Sequence, residues 1–404
     1  MTQSSTNIPD TEELALLGGT PVRPRVLPQG FVPDDELRAQ MAALLETGIL
    51  SEYYNGPHAR RFEQEFAAYH GDDILALGVN SGTGALHLAL EAAGVGPGDE
   101  VIIPAFCFVA AAVAIANRGA LPIICDVEPH SLSLDVEAAE ALVGPRTAAI
   151  LPVHFWGYPV DVASLRSLCD RHGLALVEDT AQGPGATVNG HKTGTFGDFA
   201  TFSFSNRKHV TCGEGGMVLT RSEERLEAMR ALSNFGKGPG WDDYVSHGYN
   251  YRMTEVIGVV GSHYLRRIDD EIAARRAAAD HYREALDSTG LEPVPPPPWG
   301  EAVYFKLPIL LPEAHVADRQ FVVDAIVAEN VSCRVPHRPL FRIEWLEERL
   351  RAAGRFRGPE DCPVAATLHP RLIEVETGPN LPLEEARKSA RAVQKIWRRV
   401  LAGA

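Results

Sequence analysis

The stretch Thr201-Phe202-Ser203-Phe204-Ser205-Asn206-Arg207-Lys208, followed by Gly213-Glu214-Gly215-Gly216, decides how this chain is read. Phe202 and Phe204 alternate with Ser203 and Ser205, which is the period of a strand. The alternation then stops, and an irregular segment carries Lys208. A glycine turn leads into a second apolar run, Met217 to Thr220. Upstream, Val177-Glu178-Asp179-Thr180-Ala181-Gln182 ends another apolar run on a carboxylate. The sequence therefore sets a lysine and a distant acid each at the end of a buried strand.

Most lysines are exposed, and a surface loop is the ordinary reading of Lys208. Its setting argues otherwise. A poorly hydrated amine loses proton affinity and becomes a nucleophile. An amine and a buried acid in this arrangement are what pyridoxal 5'-phosphate (PLP) requires. The lysine forms a Schiff base, and the carboxylate keeps the pyridine nitrogen protonated so that the ring withdraws electrons. Asp179 also suits a helix N-cap, and the two roles are compatible. Gln182, three residues on, is near enough to reach the phenolic oxygen of such a cofactor; its bland reading is a surface amide.

Outward from these residues the texture is regular. Ile74 to Val79, Glu100 to Pro104, Leu121 to Val127, Ala148 to His154 and Leu174 to Glu178 are apolar runs of strand length. Between them Ala85 to Ala93, Val109 to Ala116, Val136 to Leu142 and Val162 to Cys169 have helical spacing. This predicts an α/β fold with a mainly parallel central sheet and helices on both faces. Ligands in such sheets bind beyond the carboxyl ends of the strands. That edge carries Ser81-Gly82-Thr83-Gly84, Phe108, Trp156 and Asp179 to Gln182. Thr83 and Gly84 open a helix, where free N–H groups suit a phosphate, although Ser and Thr also cap helices that bind nothing. Ser203 offers a hydroxyl to the same phosphate or simply faces solvent. Phe108 stacks on the cofactor ring or joins the core. Trp156 and Arg252 are candidate substrate contacts, Arg252 for an anionic group. Asn250, in Gly248 to Met253, is a candidate for completing a phosphate site.

Residues 1–30 are polar and Pro-rich and read as an N-terminal arm on the surface. Asp34 to Leu45 and Ala59 to Tyr69 read as helices. A large domain is expected over 31–270, and a smaller α/β domain over 271–404. A long helix from Glu255 to Leu286, broken near Gly261, joins them. The Pro-rich segment 293–298 follows, then a strand from Tyr304 to Leu311, a helix from Asp318 to Ala328, a strand from Val331 to Val335 and a helix from Leu383 to Val400.

With 404 residues, 45 % of them apolar, the chain can bury a large core. Its 38 Lys and Arg against 53 Asp and Glu give a net charge of −15. That argues against nucleic acid as a partner, which needs clustered cations. No signal peptide and no membrane-spanning run is expected. The six cysteines are scattered without a C-x-x-C pair, so no metal is expected and a reducing cytoplasm suits them.

Together these segments resemble the DegT-like sugar aminotransferases, a PLP-dependent family acting on keto-sugars and keto-cyclitols. The resemblance rests on Asn80-Ser81-Gly82-Thr83, Asp99-Glu100-Val101-Ile102-Ile103-Pro104, Pro145-Arg146-Thr147, Glu178-Asp179-Thr180-Ala181-Gln182, Gly197-Asp198-Phe199-Ala200-Thr201-Phe202-Ser203-Phe204, Gly213-Glu214-Gly215-Gly216 and Tyr249-Asn250-Tyr251-Arg252-Met253. It implies the type I aminotransferase fold and a homodimer with shared active sites. It implies Lys208 as the Schiff-base lysine, Asp179 at the pyridine nitrogen and Gln182 at the phenolic oxygen. Phe108 would be the stacking aromatic, Thr83, Gly84 and Ser203 the phosphate ligands, and Asn250 a contact to the neighbouring subunit's cofactor. Glutamate or glutamine would be the donor, and amino-sugar or antibiotic biosynthesis the setting. Some relatives carry histidine in place of the lysine and dehydrate instead; here Lys208 is present, with His209 after it. A PLP lyase or dehydratase on the same fold, and a non-catalytic PLP-binding regulator, are the competing readings. A nicotinamide dehydrogenase is disfavoured, since no G-x-G-x-x-G follows Val79.

Overall fold

In a computed structural model of the chain, residues 13–28, 30, 32–54, 56–240 and 242–403 are described. Two helices come first, α1 (Asp35–Thr47) and α2 (Pro57–His70). Alternation then sets in: β1 (Leu75–Val79), α3 (Gly82–Ala92), β2 (Glu100–Pro104), α4 (Ala110–Asn117), β3 (Leu121–Cys125), α5 (Val136–Ala141), β4 (Thr147–Ile150), α6 (Val162–His172) and β5 (Ala175–Asp179). A small hairpin, β6 (Thr187–Val188) and β7 (His191–Lys192), precedes β8 (Phe199–Ser203) and β9 (Gly216–Thr220). The helices α7 (Glu223–Ser233), α8 (Glu255–Leu265) and α9 (Ile268–Leu286) follow. The rest comprises β10 (Glu292–Pro293), β11 (Gly300–Glu301), β12 (Leu307–Leu310), α10 (Arg319–Ala328), β13 (Cys333–Arg334), α11 (Glu344–Ala352), α12 (Pro363–Leu368), β14 (Leu372–Val375) and α13 (Leu383–Leu401).

Seven strands form the main sheet in the order β1-β9-β8-β5-β4-β2-β3. The pairs from β8 through β5, β4 and β2 to β3 are parallel. Only β9 runs against its neighbours, so the carboxyl ends of β1, β2, β5 and β8 share one edge. The apolar runs explain the arrangement: β2 is buried at all five positions, as a strand covered on both faces must be. A four-stranded antiparallel sheet, β10-β12-β14-β13, anchors the C-terminal part, with α13 burying Val393, Ile396 and Trp397.

Two differences from the sequence reading have physical causes. The long helix breaks at Arg266–Arg267, between α8 and α9, and not at Gly261. A glycine in this helix is a packing device: at Gly258 a Cβ would fall 2.4 Å from the backbone of His58, so α8 and α2 touch backbone to backbone. Residues 13–28, the described part of the expected arm (1–12 and 29 lie outside the described residues), dock on the C-terminal part. Arg23 is fully buried. It donates to Glu376, to Ser389 and, at 2.9 Å, to the Glu385 carbonyl. The segment otherwise lies on the surface, as its polar composition suggested, with only Leu14 and Arg23 buried among residues 13–28; composition gave no sign of the Arg23 anchor because its partners lie more than three hundred residues away in the chain.

Replacing Gly258 with Ala is expected to force α2 and α8 apart and to lower unfolding stability by about 1–3 kcal/mol, read from the urea midpoint; an unchanged midpoint contradicts the backbone contact.

Candidate active site

The site forms where β5 and β8 end. Asp179 is the last residue of β5. Its backbone stays in the sheet, with the His154 N–H donating to its carbonyl at 3.0 Å. Its side chain is buried, 5 % exposed, and Oδ1 accepts from the Ala181 N–H at 3.0 Å. No arginine, lysine or histidine pairs with it by contact among the described residues. Burial raises its pKa, opposed by the Ala181 N–H and by the charge of Lys208.

Glu178, one residue earlier, meets the opposite treatment. It is fully buried, yet three N–H groups (Gly194, Phe196 and Gly197) donate to it at 2.7–2.8 Å. His154 Nε2 lies 3.1 Å away. The Val160 N–H donates to His154 Nδ1, which leaves the ring proton on Nε2, facing the carboxylate. Burial alone would raise the pKa of Glu178; His154 and the N–H groups outweigh it and hold the pKa low. Glu178 is thus occupied in folding the 194–197 turn, while Asp179 retains acceptor capacity for a cation.

Lys208 sits in a loop closed by Phe204 N–H to Gly215 O and Cys212 N–H to Phe204 O. Its own N–H donates to Ser205 O at 3.2 Å. The residue keeps some surface open to solvent, but the surroundings of the amine are dry enough that burial pushes its pKa down to about 8. Asp179 acts against that fall and Arg275 adds to it. Nζ lies 4.7 Å from the centroid of the Phe305 ring. His209 turns away, its Nε2 3.0 Å from Val303 O, and burial keeps it neutral.

The helix α3 begins at this edge. Ser81 caps it, its Oγ accepting from the Gly84 N–H at 3.0 Å. The N–H groups of Gly82 and Thr83 then have no acceptor within the helix. Gly82 lies so close to Ser203 that a Cβ would approach Ser203 Cβ to 2.6 Å. Closeness of this kind brings the Ser203 hydroxyl to the helix start. Free N–H groups, a hydroxyl and a helix dipole together suit a phosphate.

The remaining candidates divide. Gln182 is buried, and its Oε1 accepts from the Trp156 N–H at 2.8 Å; that fixes the amide so that its NH2 group is the end left for a ligand. Phe108 is 46 % exposed, meets the His337 ring edge-on at 5.3 Å, and lines a cavity of about 340 Å³ with Cys107, Arg338 and Trp345. Trp156 lies in the core: its indole N–H donates to Glu374 on β14 at 2.7 Å, so it joins the two sheets and presents no open face. Arg252 donates to Asn234 Oδ1 at 2.9 Å and packs on Tyr53 and Phe235. It borders a separate cavity of about 720 Å³ between α2, β1 and α7, which neither Lys208 nor Asp179 lines. Asn250 is exposed, on a loop held by the Asn80 side chain at its carbonyl, 3.1 Å. Sequence reasoning passed over Phe305 and Arg275. Neither had a signal, since Phe305 follows the Pro-rich segment and Arg275 resembles a surface partner for Glu271 four residues before it.

These residues fit PLP on three counts. The acid is buried without a contacting cation, the amine has its pKa lowered to about 8 so that a usable share is neutral near physiological pH, and a phosphate-compatible helix start lies beside them. A family model described as the DegT/DnrJ/EryC1/StrS aminotransferase family matches residues 33–394. The chain is 42 % identical over 256 residues to the GDP-perosamine synthase of Vibrio cholerae, covering 63 % of this chain and 68 % of that one. It is 38 % identical over 295 residues to the L-glutamine:2-deoxy-scyllo-inosose aminotransferase of Streptoalloteichus tenebrarius, covering 69 % of each. Among solved structures, S. venezuelae DesV in complex with a ketimine intermediate superposes with a TM-score of 0.82 at 32 % identity, over 92 % of this chain and all of that one.

In cofactor-free protein, competitive acetylation read by peptide mass spectrometry is expected to titrate Lys208 near pH 8. Asp179→Asn removes the charge that favours the ammonium and is expected to move the midpoint lower; a midpoint that rises or stays fixed contradicts the assigned coupling.

Proposed function

Because the chain belongs to the DegT/DnrJ/EryC1/StrS aminotransferase family, it is a PLP-dependent aminotransferase, and we propose that it carries an amino group from glutamate or glutamine to a cyclic ketone, a nucleotide-linked keto-sugar or a keto-cyclitol. The observation that carries this reading is the pairing of a dehydrated Lys208 amine with the buried carboxylate of Asp179. The named relatives act on substrates of these two kinds, and amino-sugar or antibiotic biosynthesis is the corresponding setting.

When bound, PLP supplies an electron sink that lets a proton leave the donor's α-carbon. The chain supplies the rest. Thr83 and Ser203, with the free Gly82 N–H, would hold the phosphate at the start of α3; the Gly84 N–H is engaged by Ser81 Oγ, so Gly84 would contribute by leaving room without a side chain. Asp179 would face the ring nitrogen and keep a proton there, a role for which its burial with one N–H donor and no contacting cation prepares it. Gln182 would donate its free amide hydrogens to the phenolic oxygen, since its Oε1 is already engaged. Phe108 would cover one ring face. Lys208 would be the covalent anchor, and, once displaced, the base that lifts a proton from the donor's α-carbon and returns one on the acceptor side. An amine with a pKa near 8 can take up and release that proton close to neutral pH.

In this reading the large domain, 31–270, holds the cofactor, and the smaller domain, 271–404, closes over it. The protein is a homodimer, with Asn250 exposed on one subunit to reach the cofactor phosphate of the other. A cytoplasmic location is part of the same proposal, supported by six free cysteine thiols; no described helix is long and apolar enough to cross a membrane.

Lys208→Ala is expected to lower turnover by a factor of about 10² to 10⁴ or more, with undiminished turnover removing the proposal. Wild-type protein converted to its amine form with glutamate or glutamine, then offered a panel of cyclic ketones, is expected to regain the aldehyde spectrum with nucleotide-linked keto-sugars or with keto-cyclitols; no return with either class refutes the substrate assignment. Mixing Lys208→Ala with Asn250→Ala subunits is expected to restore about a quarter of wild-type activity, because a mixed dimer rebuilds one complete site. Activity no higher than the sum of the separate variants contradicts shared sites.

A further inference from the structure

The helix α9 sends one side chain to the segment that carries Lys208. Arg275 is fully buried, and its guanidinium serves acceptors on three stretches of chain. Nε donates to Glu271 Oε1 at 2.7 Å. Nη2 donates to the Arg207 carbonyl at 3.2 Å. Nη1 donates to the Phe305 carbonyl at 3.2 Å and to that of Tyr304 at 3.4 Å.

The backbone at both tethered places is unusual. Arg207 has φ of +77° and Tyr304 has φ of +48°, the left-handed region that large L side chains seldom occupy. Each immediately precedes a residue that positions the amine. Arg207 precedes Lys208. Tyr304 precedes Phe305, whose ring lies 4.7 Å from Lys208 Nζ. A buried arginine often does no more than satisfy its own acid. Here Glu271 takes only Nε, and the fork of the guanidinium goes to backbone carbonyls on either side of the amine. Such a fork is suited to several fixed acceptors at once.

We propose that Arg275 is a positioning residue for the Lys208 amine: it pins two left-handed backbone turns, at Arg207 and at Tyr304–Phe305, and so fixes the direction of the lysine and the wall it rests against. The importance of that direction rests on reading Lys208 as the cofactor lysine. The tethering itself does not. The charge of Arg275 acts in the same sense. Two ionisable groups act on the amine, and a third, the next residue in the chain, turns from it. Asp179, from β5, favours the ammonium; Arg275, from α9, opposes it; His209, next in the chain, is held neutral by burial and by Arg275. The Phe305 ring face favours a cation. Arg275 therefore offsets Asp179 and keeps the amine available near neutral pH.

Two variants test this on cofactor-free protein. Arg275→Met removes charge and hydrogen bonds, whereas Arg275→Lys keeps the charge and loses the fork. Lys208 is titrated by competitive acetylation, and the backbone is followed by hydrogen exchange in peptides spanning 204–210 and 303–307, compared with β4 and β5. Arg275→Met is expected to raise the Lys208 midpoint above about 8, lowering the share of neutral amine near pH 7, and to speed exchange in both peptides. Arg275→Lys is expected to speed exchange there while leaving the midpoint near that of the wild type. A folded Arg275→Met protein with wild-type midpoint and exchange overturns the proposal. If Arg275→Met does not fold, Arg275→Lys decides alone: faster exchange confined to the two peptides supports the tether, and wild-type exchange there overturns it. No substrate enters these measurements, so their failure is distinct from failure of the aminotransferase reading, which persistent turnover of Lys208→Ala would show.

Discussion

Dehydration at the carboxyl edge of the main sheet is the constraint on which the other features depend. A lysine in water is fully protonated at neutral pH and cannot attack a carbonyl. Drawing its amine into the loop after β8 lowers the cost of losing that proton. The same dehydration would also neutralise nearby acids, and the structure treats its two adjacent carboxyls differently. Glu178 receives three N–H donors and an imidazole and stays ionised in a structural role. Asp179 receives one N–H and no contacting cation. Neighbouring groups whose environments push their pKa values apart are a mark of assigned chemical roles.

Much of this was legible in the sequence, for a clear reason. Strands buried on both faces are written as uninterrupted apolar runs, so Glu100 to Pro104 and Leu174 to Glu178 announced the parallel sheet, and the residues after them fell on its functional edge. The chemistry-bearing positions Lys208, Asp179, Gln182 and Ser203 stand at strand ends, where the pattern visibly stops. Positions whose surroundings come from distant segments were not legible. Trp156 stood out as a candidate substrate contact because it follows a strand on the functional edge, but its partner, Glu374, lies on the other sheet. The break at Arg266–Arg267 escaped notice because no Pro or Gly marks it, and Gly261 drew attention for a packing reason instead. The helix α7 carries its apolar face too weakly among charged residues to stand out.

The C-terminal part does more than enclose the site. Glu374 accepts from Trp156 on one side and pairs with Arg334 on the other, which couples β14 to the loop after β4. Phe305 approaches Lys208 from the segment just before β12. The amine is thus surrounded by pieces of both sheets, and its chemical state depends on their being docked. A lysine whose nucleophilicity requires the two parts to be assembled is not reactive in a partly folded chain.

The burial of Arg23 has a consequence for how the molecule is made. Its partners Glu376, Glu385 and Ser389 are more than 350 positions further on, and contacts so distant in the chain close last and slowly. During synthesis the segment around Arg23 waits, unsatisfied, until β14 and α13 with its partners have emerged. The C-terminal lobe is therefore completed by a segment that precedes the large domain in the chain.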